Sequence, residues 1–454
     1  MKQTQKKTIW NIAALMIFFT ALIVSSCNQG RTNEVLKAAD YGLAEDGDAT
    51  PLIRSLMDSC RILGISELDL PRGTYHFYPY KADEEYCAIS NNDNGLKRIA
   101  FLIENMSDFH LKGDSTRLIF HGNMVPVVIK NSKHIKLSGF SIDWQRPFQS
   151  EAEVTDVNPS NQTFDIRIAL QFPYEIQSQE LLFKGEGWIQ DIQKNLFFDP
   201  GTGATVYKVN QYKLDPWNPL LRTEYSAWDI APGVVRIYDT ISPLPKKGWI
   251  WVSKGGKEPS RYSPAIWLYK AINIDVNGIS IYNSGGMGLI AERSRDITMQ
   301  NMTITPSPGS GRIVSTSADA THFISCKGTI RFDHCLFESM LDDATNVHGI
   351  YTIFKGFSDK HTIGVQTMHY QQHGFDFAEA GDTLQFTDRN TLLPYLSLKV
   401  RKVTRVNEEY TLLEFNEDVT GLIKANTAVE NLSWYPDVIM KNCTVRKNRA
   451  RSIL

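Results

Sequence analysis

The sequence predicts an all-β protein built as a parallel β-helix, a stack of short strands wound coil on coil, interrupted by two small β-domains. Three observations predict it: a recurring eight-residue strand-and-bend unit, intervals of about one coil between several copies, and two intervals too long for one coil. The chain has 454 residues, long for one globular domain but suited to an elongated repeat with insertions. A hydrophobic share of 42%, with 11% aromatic, supplies a core and excludes a disordered chain. Lys+Arg 48 against Asp+Glu 50 leaves a net charge of -2, which argues against a nucleic-acid partner. Nine Trp and 18 Tyr offer rings on which the apolar faces of sugars could stack.

The N-terminus reads as an address. Lys2, Lys6 and Lys7 precede an apolar run over residues 12–24, and then comes Val24-Ser25-Ser26-Cys27. Thirteen apolar residues are too few to span a membrane, and small residues before a Cys fit a signal-peptide cleavage site. The segment resembles a bacterial lipoprotein signal (residues 1–27), in which Cys27 becomes the lipidated first residue. The protein is therefore expected in the cell envelope, in the periplasm or on the outer-membrane surface, touching the membrane only through that anchor. The other five cysteines (Cys60, Cys87, Cys326, Cys335, Cys443) are odd in number and lack metal-type spacing, so neither a disulfide framework nor a zinc site is expected.

Residues 28–147 read as a cap and the first coils. A helix-like segment over residues 50–63 is followed by Leu70-Pro71-Arg72-Gly73-Thr74-Tyr75, an opening that resembles the cap of pectin-lyase-like right-handed β-helices. The bare apolar end of a strand stack must be covered, and an amphipathic helix can cover it. The repeat unit is Ile135-Lys136-Leu137-Ser138-Gly139-Phe140-Ser141-Ile142, and it returns from Ile274, Ile297, Ile330 and Val438, with a weaker early copy at Phe109. Each copy alternates apolar and polar residues and bends near a Gly or Asn. Phe109 to Ile135 is 26 residues and Ile274 to Ile297 is 23, both natural lengths for one coil.

Ile135 to Ile274 is 139 residues and Ile330 to Val438 is 108. Subtracting one coil of about 24 leaves roughly 115 and 84 spare residues. They are assigned to inserted β-domains at 148–258 and 350–432, because both contain strand-like runs such as Val234-Val235-Arg236-Ile237-Tyr238. Central coils at 259–349 and the start of further coils at 433–454 complete the division.

Counting along the coils locates a candidate site. Residues one coil apart lie about 4.8 Å from each other. Asp319 and Asp342 are 23 apart, one coil length, which places them in one column with Asp343 alongside. Leu341-Asp342-Asp343-Ala344 reads as a bend with both carboxylates outward, since an extended strand would bury one of them. Three acids this close should repel and raise at least one pKa, creating the split between acid and base that glycoside hydrolysis uses. The same counting brings Glu292 and His348 into one column two coils apart, with Asn346 nearby, and sends Trp144 and Arg146 off the Ile142 strand on one side. Each is a candidate for binding sugar hydroxyls or stacking on a ring, set against an ordinary structural role. Cys335 and Cys443 coincide in register, which fits a stacked column of small residues better than a disulfide.

With these residues in view, the chain resembles glycoside hydrolase family 110. The likeness rests on residues 40–144, Gly95-Leu96-Lys97-Arg98-Ile99-Ala100-Phe101, Ser141-Ile142-Asp143-Trp144 and Arg146-Pro147-Phe148. It rests further on Ser317-Ala318-Asp319-Ala320-Thr321-His322 and Met340-Leu341-Asp342-Asp343-Ala344-Thr345-Asn346-Val347-His348-Gly349. The resemblance implies a parallel β-helix with two inserted β-barrels, exo-acting α-1,3-galactosidase activity on galactose-terminated glycans, and an inverting reaction without metal or other cofactor. It carries the catalytic trio onto Asp319, Asp342 and Asp343. An inverting pair asks for carboxyls about 6.5–9.5 Å apart, which adjacent coils could reach by splaying.

Members of that family usually continue past the point where this sequence stops, so a shortened chain with an incomplete pocket is an expectation, with Arg451 one rung from Asp343. Two rivals stand beside the hydrolase. A polyuronate hydrolase or lyase would want a basic pocket, and a glycan-binding lipoprotein would bind galactosides without cleaving them.

Overall fold

The computed structural model describes residues 34–192, 194–206, 211–212, 225–239, 243–254 and 261–454. The signal segment and Cys27 lie outside the described residues. Strands dominate, and the repeat unit is the organising feature. Ile135 pairs in parallel with Ile274, Ile274 with Ile297, Ile297 with Ile330, and Ile330 with Val438. Phe109 sits below Ile135 in the same ladder. A second wall stacks Val125–Lys130, Ile266–Tyr269, Leu289–Glu292, Thr321–Ile324 and Thr345–His348, again all parallel. Each coil thus contributes one strand to each wall, and its inward apolar residues fill a continuous core from Leu68 to Phe337.

The bend inside each unit has a definite backbone reason. Gly139, Gly278, Asn301, His334 and Asn442 occupy the same position of successive copies, and all have φ between 51° and 74°. This is the left-handed region, which Gly and Asn enter most easily. The helix Thr50–Leu63 turns Ile53, Leu56, Met57 and Cys60 inward and ends on Gly64 in the left-handed conformation. Its buried face packs with the first coils, so it covers the stack's N-terminal end.

The two long intervals fold differently. Between Thr345–His348 and Pro436–Lys441, six antiparallel strands close into a barrel. Between Lys133–Trp144 and Ile266–Tyr269, the described residues form an open eight-stranded sheet, Ser150–Asn158 and Ile250–Ser253 adjacent within it, and a separate three-stranded meander. Two inserted β-barrels were expected; among the described residues the second insertion is a closed barrel and the first is this eight-stranded sheet with its meander. The closed barrel shares a second apolar cluster with the outer face of the Val125–His348 wall, in which Val128, Trp267, Ile290 and Ile324 meet Phe375 and Phe377. The five described cysteines are free, Cys335 and Cys443 stacking with an amide-to-sulfur contact of 3.4 Å.

Candidate active site

Asp319, Asp342 and Asp343 do come together. Each offers one carboxylate oxygen, and the three oxygens lie within 4.8 Å of one another. They sit on the bends that lead into Thr321–Ile324 and Thr345–His348. The register corrects the expected pairing: Thr321 pairs with Thr345, so the coil here is 24 residues long and Asp319 stacks on Asp343. The Asp343 amide donates to Asp319 Oδ1 at 3.3 Å, and Ala320 donates to the Asp343 carbonyl at 3.0 Å. One more residue per coil moves Asp342 beside the column, where its side chain keeps 22% of its surface exposed.

Residues 341–344 form a bend outside any strand, but the outward placement of both acids holds for Asp342 alone. Asp343 is 1% exposed, covered by Arg451. The Arg451 amide and Nε donate to Asp343 Oδ1 at 2.7 and 3.0 Å, and Nη2 donates to Oδ2 at 2.9 Å. This is the rung position the counting gave Arg451, and a buried carboxylate needs such a fork-shaped donor. Arg261 Nη2 donates to Asp342 Oδ2 at 3.1 Å.

Repulsion within the trio was expected to raise at least one pKa; at Asp319 the carboxyl lies below the ordinary value. Burial pushes it upward, but the hydrogen bond and charge of His322, with Arg261 and the Asp343 amide, outweigh burial. His322 Nδ1 donates to Asp319 Oδ2 at 2.5 Å. Its Nε2 lies 2.8 Å from Nε2 of His348, whose Nδ1 donates to the Gly349 carbonyl at 2.7 Å. Burial and the neighbouring His322 hold His348 down at about 4, so its single proton is the one on Nδ1. His322 therefore stands between Asp319 and His348, with its Nδ1 donating to the carboxylate. The Asn91 amide nitrogen lies 2.9 Å from the same Nε2.

The remaining expected residues divide. Asn346 reaches Asp343 Oδ2 at 3.4 Å, and its buried Oδ1 has no protein partner among the described residues. Glu292 and His348 do share a column, through Ile324. Glu292, however, accepts from the Ser90 amide at 3.0 Å and from Trp267 Nε1 at 2.6 Å, and burial raises its pKa. It is a fully enclosed structural acid with no sugar-facing surface.

Trp144 and Arg146 are corrected in the same way. Trp144 is buried against Phe120 and Phe148 and donates to the Gly122 carbonyl at 3.1 Å. Arg146 lies between the rings of Phe172 and Trp188 and donates to the Lys184 and Gln149 carbonyls and Ser150 Oγ. It clips the first insertion to the coil, and burial lowers its pKa to about 9. Sequence counting missed Arg261, which approaches from another coil, and it passed over His322, although His322 stands three residues after Asp319.

Two family models match the chain: GLAA-B beta-barrel domain I over residues 150–250 and GLAA-B beta-barrel domain II over residues 362–429. Alpha-1,3-galactosidase A of Shewanella woodyi is 34% identical over 99% of this chain and 73% of its own length. Alpha-1,3-galactosidase B of Akkermansia muciniphila is 29% identical over 94% of this chain, which spans about half of that relative, 52%. Alpha-1,3-galactosidase B of Bacteroides thetaiotaomicron is 25% identical over 94% of this chain and 69% of its own length. With a relative this similar aligned across nearly every coil and both insertions, the chain belongs to the family of the alpha-1,3-galactosidases A and B.

Proposed function

We propose that the protein is an exo-acting glycoside hydrolase that releases terminal α-1,3-linked galactose from glycans. The observation that carries the reading is the convergence of three aspartates at one edge of the coil. Points within 4.8 Å of one another share a centre at most about 2.8 Å from each, which is hydrogen-bonding distance, so the trio can hold one attacking water. Asp319, kept ionised by His322, takes the part of base toward that water. Asp342 faces solvent and takes the part of proton donor to the departing glycosidic oxygen. Asp343, locked by Arg451, fixes the water and the position of its neighbours. Asn346 supplies a further polar group to the same pocket.

Inversion is part of this proposal, and one observation favours a second reading. The oxygens converge where a splay to about 6.5–9.5 Å was expected, and 4.8 Å is nearer the separation of about 5–5.5 Å at which a carboxylate attacks the sugar directly. Proton NMR on a terminal α-1,3-galactoside separates the two. β-Galactose appearing before mutarotation supports inversion; initial α-galactose discards it and makes one aspartate a nucleophile. No release of galactose by a folded protein would sink the hydrolase reading.

The remaining elements of the proposal concern fold class and location. The parallel coil is assigned to the right-handed, pectin-lyase-like class, the hand that strand–crossover–strand connections prefer. The Cys27 motif supports export and lipid anchoring in the cell envelope. Metabolic labelling with a radioactive fatty acid tests the anchor, since label must vanish in a Cys27→Ser variant.

A further inference from the structure

A cavity of about 520 Å³ lies on the same edge of the coil as the three aspartates, and none of the chemistry above uses it. Tyr78, Tyr80 and Tyr262 line it, together with His121, Asn123 and Glu186. Its position follows from the register. Val127 pairs with Ile266, Ile266 with Leu289, and Leu289 with Thr321. Carried back into the bends, Asn123 and Tyr262 fall on two successive rungs, and Asp319 lies two rungs beyond Tyr262. At about 4.8 Å per rung, that is about 10 Å along the coil, a short walk for a saccharide chain. Arg261 spans the interval: its guanidinium holds Asp342 while the next residue, Tyr262, forms the cavity wall.

The lining has the chemistry of sugar recognition: ring faces for apolar C–H surfaces and convergent polar groups for hydroxyls. Two rings are braced by neighbouring side chains. Tyr78 stacks on His121 with centroids 4.0 Å apart and planes at 15°. The Lys97 ammonium, on a buried side chain, lies 4.2 Å from the centre of the Tyr262 ring. Tyr80 is 86% exposed, a large ring left facing solvent. Glu186 is hydrogen-bonded to His121 Nδ1 at 2.8 Å, which orients both polar groups at the cavity wall. Rigid platforms of this kind bind with little loss of side-chain freedom.

We infer that this cavity is a subsite for the glycan on the leaving-group side of the cleaved bond, holding the sugars that remain after the terminal galactose departs. The inference rests on the hydrolase reading above and extends it: the trio positions one galactose, and the cavity selects what that galactose is attached to.

The test compares wild type with Tyr80→Ala and Asn123→Ala, both surface changes, on two substrates. One is an α-1,3-galactosyl tetrasaccharide; the other is p-nitrophenyl α-galactoside, which carries no further sugars. The expected result is a loss in kcat/KM at least tenfold greater on the tetrasaccharide than on the aryl galactoside. Equal effects on both, or none, overturn the subsite. Calorimetry with the degalactosylated trisaccharide reads the cavity without turnover, with binding expected in wild type and weakened at least fivefold in Tyr80→Ala. If wild type cleaves neither substrate, the hydrolase reading fails; a trisaccharide titration unchanged by Tyr80→Ala overturns the cavity independently.

Discussion

At the scale of single residues, each acid of the site has one basic side chain against it: Asp319 has His322, Asp342 has Arg261 and Asp343 has Arg451. Asp343→Asn leaves the shape intact but removes the charge that the Arg451 fork grips. Turnover should fall by about 10³-fold or more with an unchanged circular dichroism spectrum. His322→Asn gives a different signature. Asp319 has a depressed pKa chiefly because of its contact with His322, so removing that side chain raises it. The acid limb of the kcat/KM profile should then move to higher pH, whereas a purely structural His322 would lower activity without moving the limb. The stability that Asp319 contributes is present above the ordinary carboxylate range and is lost as pH falls through its folded value, so the variant should also lose acid stability.

At the scale of elements, the bend within each repeat decides where the chain turns. Gly139 has φ 74°, and a Cβ there would meet the Gly113 carbonyl oxygen at 2.2 Å. Gly278 has φ 63° in the equivalent position, with nothing within 4 Å of such an atom. Gly139→Ala should therefore destabilise by about 2–3 kcal/mol and Gly278→Ala by about 1 kcal/mol, read as the difference between their melting midpoints. Equal midpoints would show that backbone conformation alone matters. These bends were legible in the sequence because Gly and Asn recur at them, and the strands were legible because apolar residues alternate. The coil length at the site was not. A 24-residue coil looks like a 23-residue one until hydrogen bonds fix the register, and that one residue exchanges Asp342 for Asp343 in the column.

At the scale of the whole molecule, the first insertion is tied to the loop leading to Asp319. Glu151, on the strand Ser150–Asn158, accepts from the Ile313 and Val314 amides at 3.1 Å, and burial raises its pKa to about 7. A carboxyl whose folded pKa lies above its unfolded one binds the proton more tightly in the folded state. Stability should accordingly fall as pH rises from about 4.5 to about 7, by an amount on the order of 3 kcal/mol. In Glu151→Gln that part of the slope should disappear from denaturant titrations taken across this range; a slope identical to wild type would contradict the assignment.

The sequence by itself determined the repeat, its bends, the capping helix and the presence of two long interruptions, because each is written in local periodicity or in spacing. It also brought the three aspartates into view, since residues one coil apart must lie close. Only the tertiary structure decided what surrounds them. Trp144, Arg146 and Glu292 have the right residue types and plausible rungs, yet packing against the first insertion or the coil wall encloses them. Arg261 and His322 became partners of the acids through contacts between coils and through side-chain direction, which spacing does not encode. Rung counting places a residue along the stack; whether its side chain meets sugar or core depends on what the inserted domains cover.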